Sequence, residues 1–147
     1  MLGGVRIPHE RGLAGHSDGD VMLHAIMDAL LGAACLGDIG LHFPDTDPAY
    51  EGCSSALLLS EVKTKVITAG YEINNIDCTL VAQKPKIQPY VSAIRERISQ
   101  SLGIGADQVS VKATTTEHMG FTGREEGMAC YAVCNLTQHS KGERKKR

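Results

Sequence analysis

The sequence predicts a two-layer α+β domain, one sheet covered by helices, and three observations carry that expectation. Three segments place apolar residues at helical spacing, and others alternate apolar and polar residues as strands do. The two kinds of segment follow one another without strict βαβ alternation, which argues against an all-parallel sheet. The 147 residues fit one domain, and a chain of that length buries roughly two thirds of its unfolded surface.

The first helix is expected over Asp20–Leu36, where Leu23, Ile26, Met27, Leu30, Leu31 and Ala34 share one face. Ser17, Asp18 and Asp20 are its N-cap candidates and Gly37 its stop. A loop dense in Gly, Pro and Asp follows, with Asp45-Thr46-Asp47-Pro48 reading as a turn. A second helix is expected over Ser54–Ala69, closed by Gly70. Between Tyr71 and Gln83, Ile76, Cys78, Leu80 and Ala82 alternate with polar neighbours as a strand, which Lys84-Pro85-Lys86 breaks. A third helix is expected from Pro89 to Leu102, and strands over Val109–Ala113 and Met128–Leu136. The segment joining those two strands, TTTEHMGFTGREEG, reads as a polar loop.

Composition narrows the function classes. The formal net charge is −2 with 22% charged residues, which is no nucleic-acid footprint. The basic run Lys141–Arg147 reads as a disordered solubilising tail beyond a domain of residues 1–138, with a nucleic-acid or membrane arm as the rival reading. No apolar run is long enough to span a bilayer. The five cysteines form no CxxC pair and are odd in number, which favours buried free thiols in a reducing compartment. The opening MLGGVRIPHERG reads as neither signal nor transit peptide and starts abruptly, as if beyond a strand or turn.

Four constellations can carry chemistry, each with a plain structural reading beside it. In HSDGDVMLHAIMD, Asp20, His24 and Asp28 fall on one helical stripe. His24 is then either a metal ligand or a satisfied structural imidazole, and the two aspartates are ligands or caps. The loop DIGLHFPDTDP offers carboxylates to sugar hydroxyls, or merely Asx-turns. Lys84 and Lys86 flank a proline at a strand end and reach phosphate or solvent. KATTTEHMGFTGREEG sets three hydroxyls beside Glu117, a carboxylate suited to a divalent cation, although threonines also suit strands for their own sake. Together, and without a Walker-type loop, they point to a metal-assisted phosphate enzyme.

The strings GHSDGDVMLHAIMDALLGAACLGDIGLHFPDTDPAYEG, AQKPK and KATTTEHMGFTGREEGMAC closely resemble the signature of the 2-C-methyl-D-erythritol 2,4-cyclodiphosphate synthases, in the same order and at compatible spacing. The resemblance runs from about Gly3 to Leu136. It implies an intramolecular cyclisation that converts 4-diphosphocytidyl-2-C-methyl-D-erythritol 2-phosphate to the 2,4-cyclodiphosphate and CMP. It implies a homotrimer with active sites between subunits, a zinc ion and a second cation, Mg²⁺ or Mn²⁺. The location implied is cytoplasmic for a bacterial source and the plastid stroma for a plastid-bearing one.

Carried over by motif, the resemblance makes His24 a zinc ligand and Glu117 the carboxylate on the second cation. His16 and Thr115 become the transition-state stabilisers, and His16 with Ser17 meets the 2-phosphate and erythritol end. Asp38, Ile39 and Gly40, then Phe43, Pro44, Asp45, Thr46 and Asp47, become the methylerythritol- and ribose-facing loops. Ala82, Gln83, Lys84, Pro85, Lys86, Ile87 and Gln88 form the cytidine pocket with Thr114, Thr115, Thr116 and Glu117. Phe121 and Arg124 are further binding positions, and Arg124 with Glu126 lines a central channel proposed to hold an isoprenoid diphosphate.

One departure is large. Family members open with a strand carrying Asp-x-His, which completes the zinc site, and this chain contains no such triplet. His9, His42, His118 and His139 offer no local substitute. The expectation is weak zinc affinity and little turnover for this chain. An inactive remnant that binds nucleotide or isoprenoid diphosphate, or a generic metal-dependent phosphatase, is the alternative.

Overall fold

A computed structural model describes residues 1–8, 20–50 and 52–139. His16, Ser17 and the basic tail lie outside the described residues, so their expected roles have no structural account here.

Helix α1 (Val21–Ala33) forms where expected, and of the three cap candidates Asp20 accepts from the Leu23 N–H at 3.0 Å. The same fully buried carboxylate accepts from Gly3 N–H at 3.0 Å and Gly4 N–H at 2.8 Å. Gly3 and Gly4 have φ of 58° and 80° and form a tight turn closed by reciprocal Leu2 and Val5 hydrogen bonds. A Cβ at Gly3 would lie 2.3 Å from Ile94 Cγ2, so only glycine fits there. One side chain thus caps a helix and anchors the turn packed against Ile94 and Arg97.

The expected stop of α1 at Gly37 is displaced by two residues. Cys35 takes φ 58° and donates to Gly32 O, while the Leu36 N–H returns to Leu31 O at 2.8 Å. That Schellman closure normally selects glycine. Here the burial of Leu36 against the core accompanies a cysteine in the left-handed conformation.

After α1 come a short helix α2 (Ile39–His42), then α3 (Ser55–Thr68), β1 (Tyr71–Val81), α4 (Val91–Leu102), β2 (Val109–Thr114), the short α5 (Gly120–Gly123) and β3 (Ala129–Gln138). Helices α2 and α5 stand in segments read from sequence as loops, because one helical turn leaves no periodicity to detect. Gly70, at φ 97°, ends α3 as expected.

The three strands make one mixed sheet in the order β2-β1-β3, with β1 parallel to β2 and antiparallel to β3. Asn74 is extra where the register shifts between Ile73 and Asn75, and it bonds instead to Asn135 and Thr137 side chains. The bulge explains why Ile73 and Ile76, three apart, are both buried. Ile76, Cys78 and Leu80 lie under the helices with Val109 and Val111 of β2. Helix α1 packs on β3 and α3, and Cys134 donates its thiol to Ala29 O at 3.3 Å.

The opposite sheet face carries no helix among the described residues. Tyr131 and Val133 are 68% and 69% exposed there, beside the Asp77–Lys112 ion pair. Just after β3 the His139 N–H donates to Gly70 O at 2.8 Å, with the His139 ring buried against Glu72. No described helix is long and apolar enough to cross a membrane.

Candidate active site

The residues singled out from sequence fall into two groups. The first surrounds a pocket of about 310 Å³ lined by His24, Met27, Ile39, Gly40, Phe43, Asp45, Tyr50 and Leu58. Helix α1 brings His24 to it, and His24 Nε2 lies 3.2 Å from Oγ of Ser55, a fully buried residue on the first turn of α3. The imidazole is therefore held by a second helix. Phe43 and Tyr50 meet edge to face at 5.1 Å between centroids, which stiffens the apolar wall.

The acidic residues around this pocket divide their work. Asp20 and Asp28, on the His24 stripe, serve the backbone: Asp20 caps α1, and Asp28 accepts from Ile39 N–H at 2.9 Å. Asp38 caps α2 through Leu41 N–H, and Asp47 makes an Asx-turn to Ala49 N–H, both at 2.9 Å. That leaves Asp45 as the carboxylate lining the pocket, with Pro44 and the exposed Thr46 beside it.

The second group gathers where β1 and β2 end and the loop before β3 folds over them. The Ala82 N–H extends the ladder to Thr114 O, and Gln83 Oε1 accepts from the His118 N–H at 3.2 Å. Thr116 Oγ1 lies 3.0 Å from the buried Thr122 hydroxyl, and the Glu117 N–H points at Thr115 Oγ1 at 3.3 Å. Glu117, His118 and Glu125 all have positive φ, between 54° and 65°, a strain characteristic of functional loops. Gly123 makes that path possible, since a Cβ there would sit 2.2 Å from the His118 carbonyl carbon.

Around the loop, the charged groups face water. Lys84 reaches Glu125 at 3.9 Å, an exposed pair that contributes little to stability. Arg124 is held by Glu126 at 2.7 Å, and that hydrogen bond raises the guanidinium pKa further. Lys84 and Lys86 flank Pro85, whose peptide bond to Lys84 is cis, and both are exposed; Gln88 and Phe121 are exposed as well. Ala82 and Ile87 send their side chains into the core, so a ligand would meet their backbone.

The structure does not merge the two groups, since none of Gln83, Lys84, Thr115 or Glu117 lines the His24 pocket. Ser55 was missed from sequence because its His24 partner is thirty-one positions away. Tyr50 and Thr122 stand inside the motif strings, close to their Phe43 and Thr116 partners, with nothing in their residue type to single them out. Among the described residues no three His, Cys, Asp or Glu side chains gather as a metal site. A catalytic zinc takes three protein ligands, and the pocket offers His24 and Asp45. The described residues alone therefore do not fit zinc. Glu117 is different: it has an exposed carboxylate next to the Thr114–Thr116 hydroxyls, and Mg²⁺ is commonly held by one or two carboxylates plus substrate phosphates.

Comparison with known proteins decides the kinship. The chain matches the YgbB family over residues 1–137. It belongs to that family. It is 61% identical over 137 residues to the 2-C-methyl-D-erythritol 2,4-cyclodiphosphate synthase of Agathobacter rectalis, covering 93% of this chain and 77% of that one. The synthase of Desulforamulus reducens is 59% identical, across 94% of this chain and 88% of its own length. Among solved structures, the bifunctional IspDF of Campylobacter jejuni superposes with a TM-score of 0.91 at 44% identity, over 95% of this chain and 38% of that larger protein. The CDP complex of Plasmodium falciparum IspF gives 0.82 at 35% identity, covering 95% of this chain and 83% of the other.

Proposed function

We propose that this YgbB-family chain converts 4-diphosphocytidyl-2-C-methyl-D-erythritol 2-phosphate to the 2,4-cyclodiphosphate and CMP, a lyase step of non-mevalonate isoprenoid synthesis. The carrying observation is identity of 61% and 59% to two named synthases, across a span that includes both residue groups. The inactive-remnant reading is not favoured against kinship that close.

In this reaction an oxygen of the 2-phosphate attacks the β-phosphorus and forms the new P–O bond. The bond from that phosphorus to the oxygen bridging the α-phosphate breaks, and its electron pair leaves on CMP. Little proton chemistry is needed, so catalysis rests on folding the substrate back and stabilising crowded negative charge. The His24 pocket, with Ile39, Gly40 and Asp45, receives the methylerythritol end. The backbone of Ala82–Gln88 and the Thr114–Thr116 hydroxyls receive the cytidine diphosphate, with Thr115 and His16 at the reacting phosphates. Glu117 holds a divalent cation, which supplies charge neutralisation when bound.

Because the two groups do not share a pocket in one chain, the complete site pairs the His24 pocket of one subunit with the strand-end loop of another. A homotrimer built on the bare sheet face around Tyr131 and Val133 provides that pairing, and the exposed apolar side chains there support it. The five free thiols accord with a reducing, cytoplasmic setting.

The test is incubation of the 147-residue protein with the diphosphocytidyl substrate, with Mg²⁺ or Mn²⁺ and with or without Zn²⁺. Equimolar CMP and cyclic diphosphate are expected. Release of inorganic phosphate would instead mark a phosphatase, and binding without turnover a non-catalytic relative. Sedimentation of the same sample is expected to give a trimer mass.

A further inference from the structure

Helix α2 is a single turn, and it forms the wall of the His24 pocket through Ile39 and Gly40. A turn this short does not persist on its own, because nucleation fixes several dihedrals for one hydrogen bond. Two carboxylates hold its first N–H groups. Asp38 takes Leu41 N–H from within the loop, and Asp28 takes Ile39 N–H at 2.9 Å from outside it. Asp28 stands four residues after His24 on α1, so the imidazole and the carboxylate project from one face of one rigid helix.

We propose that Asp28 is a positioning residue that fixes the Ile39–Gly40 wall relative to the His24 imidazole. It does so without touching the ligand, since Asp28 does not line the pocket. Asp28 ties the start of α2 directly to the helix that carries His24, whereas Asp38 shapes α2 from within and the His42–Leu36 O bond at 2.7 Å holds only its far end. The proposal rests on the pocket reading above, in which this wall meets the methylerythritol end of the substrate. Asp28 is exposed, so its replacement leaves the core packing untouched.

Two variants and two measurements decide it. In D28A the KM for the diphosphocytidyl substrate is expected to rise about fivefold with kcat nearly unchanged, the factor that one lost capping bond of about 1 kcal/mol supplies. D28N is expected to restore the parent KM, because its amide oxygen still accepts from the Ile39 N–H. Amide hydrogen exchange reads the tie without turnover: D28A speeds exchange at Ile39 about fivefold by the same arithmetic, and D28N does not. An unchanged Ile39 exchange rate in D28A, or D28N as impaired as D28A, overturns the proposal. A parent protein that turns over nothing would sink the proposed function instead, and the exchange result would still decide on Asp28.

Discussion

The two halves of the candidate site are built on opposite terms. The His24 side stands on a long helix whose cap, Asp20, is fully buried and satisfies three backbone donors. Its imidazole is gripped by Ser55, and its neighbouring wall is tied by Asp28. The strand-end side is an exposed loop with three residues at positive φ and its charged groups in water. Rigidity is placed where one chain alone makes the pocket. The strained, open half is where the proposed assembly would add a second chain's surface.

Removing the deepest anchor is expected to have the largest effect. D20A strands the Gly3, Gly4 and Leu23 N–H groups, and losing a cap together with buried hydrogen bonds is expected to cost about 3 kcal/mol. D20N is expected to cost less, since it keeps one acceptor while turning its NH₂ toward another N–H. Denaturant midpoints measured at constant m-value check both. A D20A loss below about 1 kcal/mol would mean water satisfies those donors, and the contrast with the loop would vanish.

The next effect belongs to the other half. E117Q keeps the size of an exposed side chain and removes its charge. Stability is expected to stay within about 0.5 kcal/mol while turnover with Mg²⁺ falls about 100-fold. Steady-state rates across a Mg²⁺ titration, beside a thermal melt, test this; equal rates in both proteins would remove Glu117 from the cation.

What the sequence made legible follows the same division. The apolar stripe of α1, the alternation in β1 and the Gly70 stop were readable because each depends on neighbours within one or two turns. The Cys35 closure was not, because glycine is the residue that signal selects and here a cysteine takes the same conformation. Asp20, His24 and Asp28 were visible as a stripe, yet spacing could not say that two of them serve backbone groups at Gly3, Gly4 and Ile39. Nor could it foresee Ser55, thirty-one positions from its His24 partner. The motif strings marked both halves of the site, but their failure to meet in one chain is a property of the packing.

A smaller effect is expected at the hinge of the loop. G123A forces a Cβ against the His118 backbone, so the Glu117–His118 segment must shift. Turnover is expected to fall about tenfold, because misplacing reacting groups by a fraction of an ångström weakens catalysis steeply. The melting temperature should drop by several degrees, since backbone rather than a flexible side chain must give way. Equal loss of stability in G123A and D20A would show that loop and anchor belong to one cooperative core.

The smallest expected effect tests the bare sheet face. Lys112 donates to Asp77 at 2.7 Å, and that hydrogen bond lowers the Asp77 pKa below its usual 3.8, with partial burial opposing it. A carboxylate whose folded pKa is depressed adds stability above its unfolded value and loses it as pH falls through the folded one. The window is therefore acidic, below about pH 4. The pair is solvent-exposed in one chain, so at concentrations where the chain is dissociated D77N is expected to cost under about 1 kcal/mol at neutral pH, with the gap to the parent closing in acid. Denaturation of both proteins between pH 7 and pH 2 reads it directly. A larger cost that grows with protein concentration is the outcome the proposed trimer predicts, because Asp77 is paired with Val133 on the face that assembly would bury; a small cost at every concentration would leave this face outside the assembly.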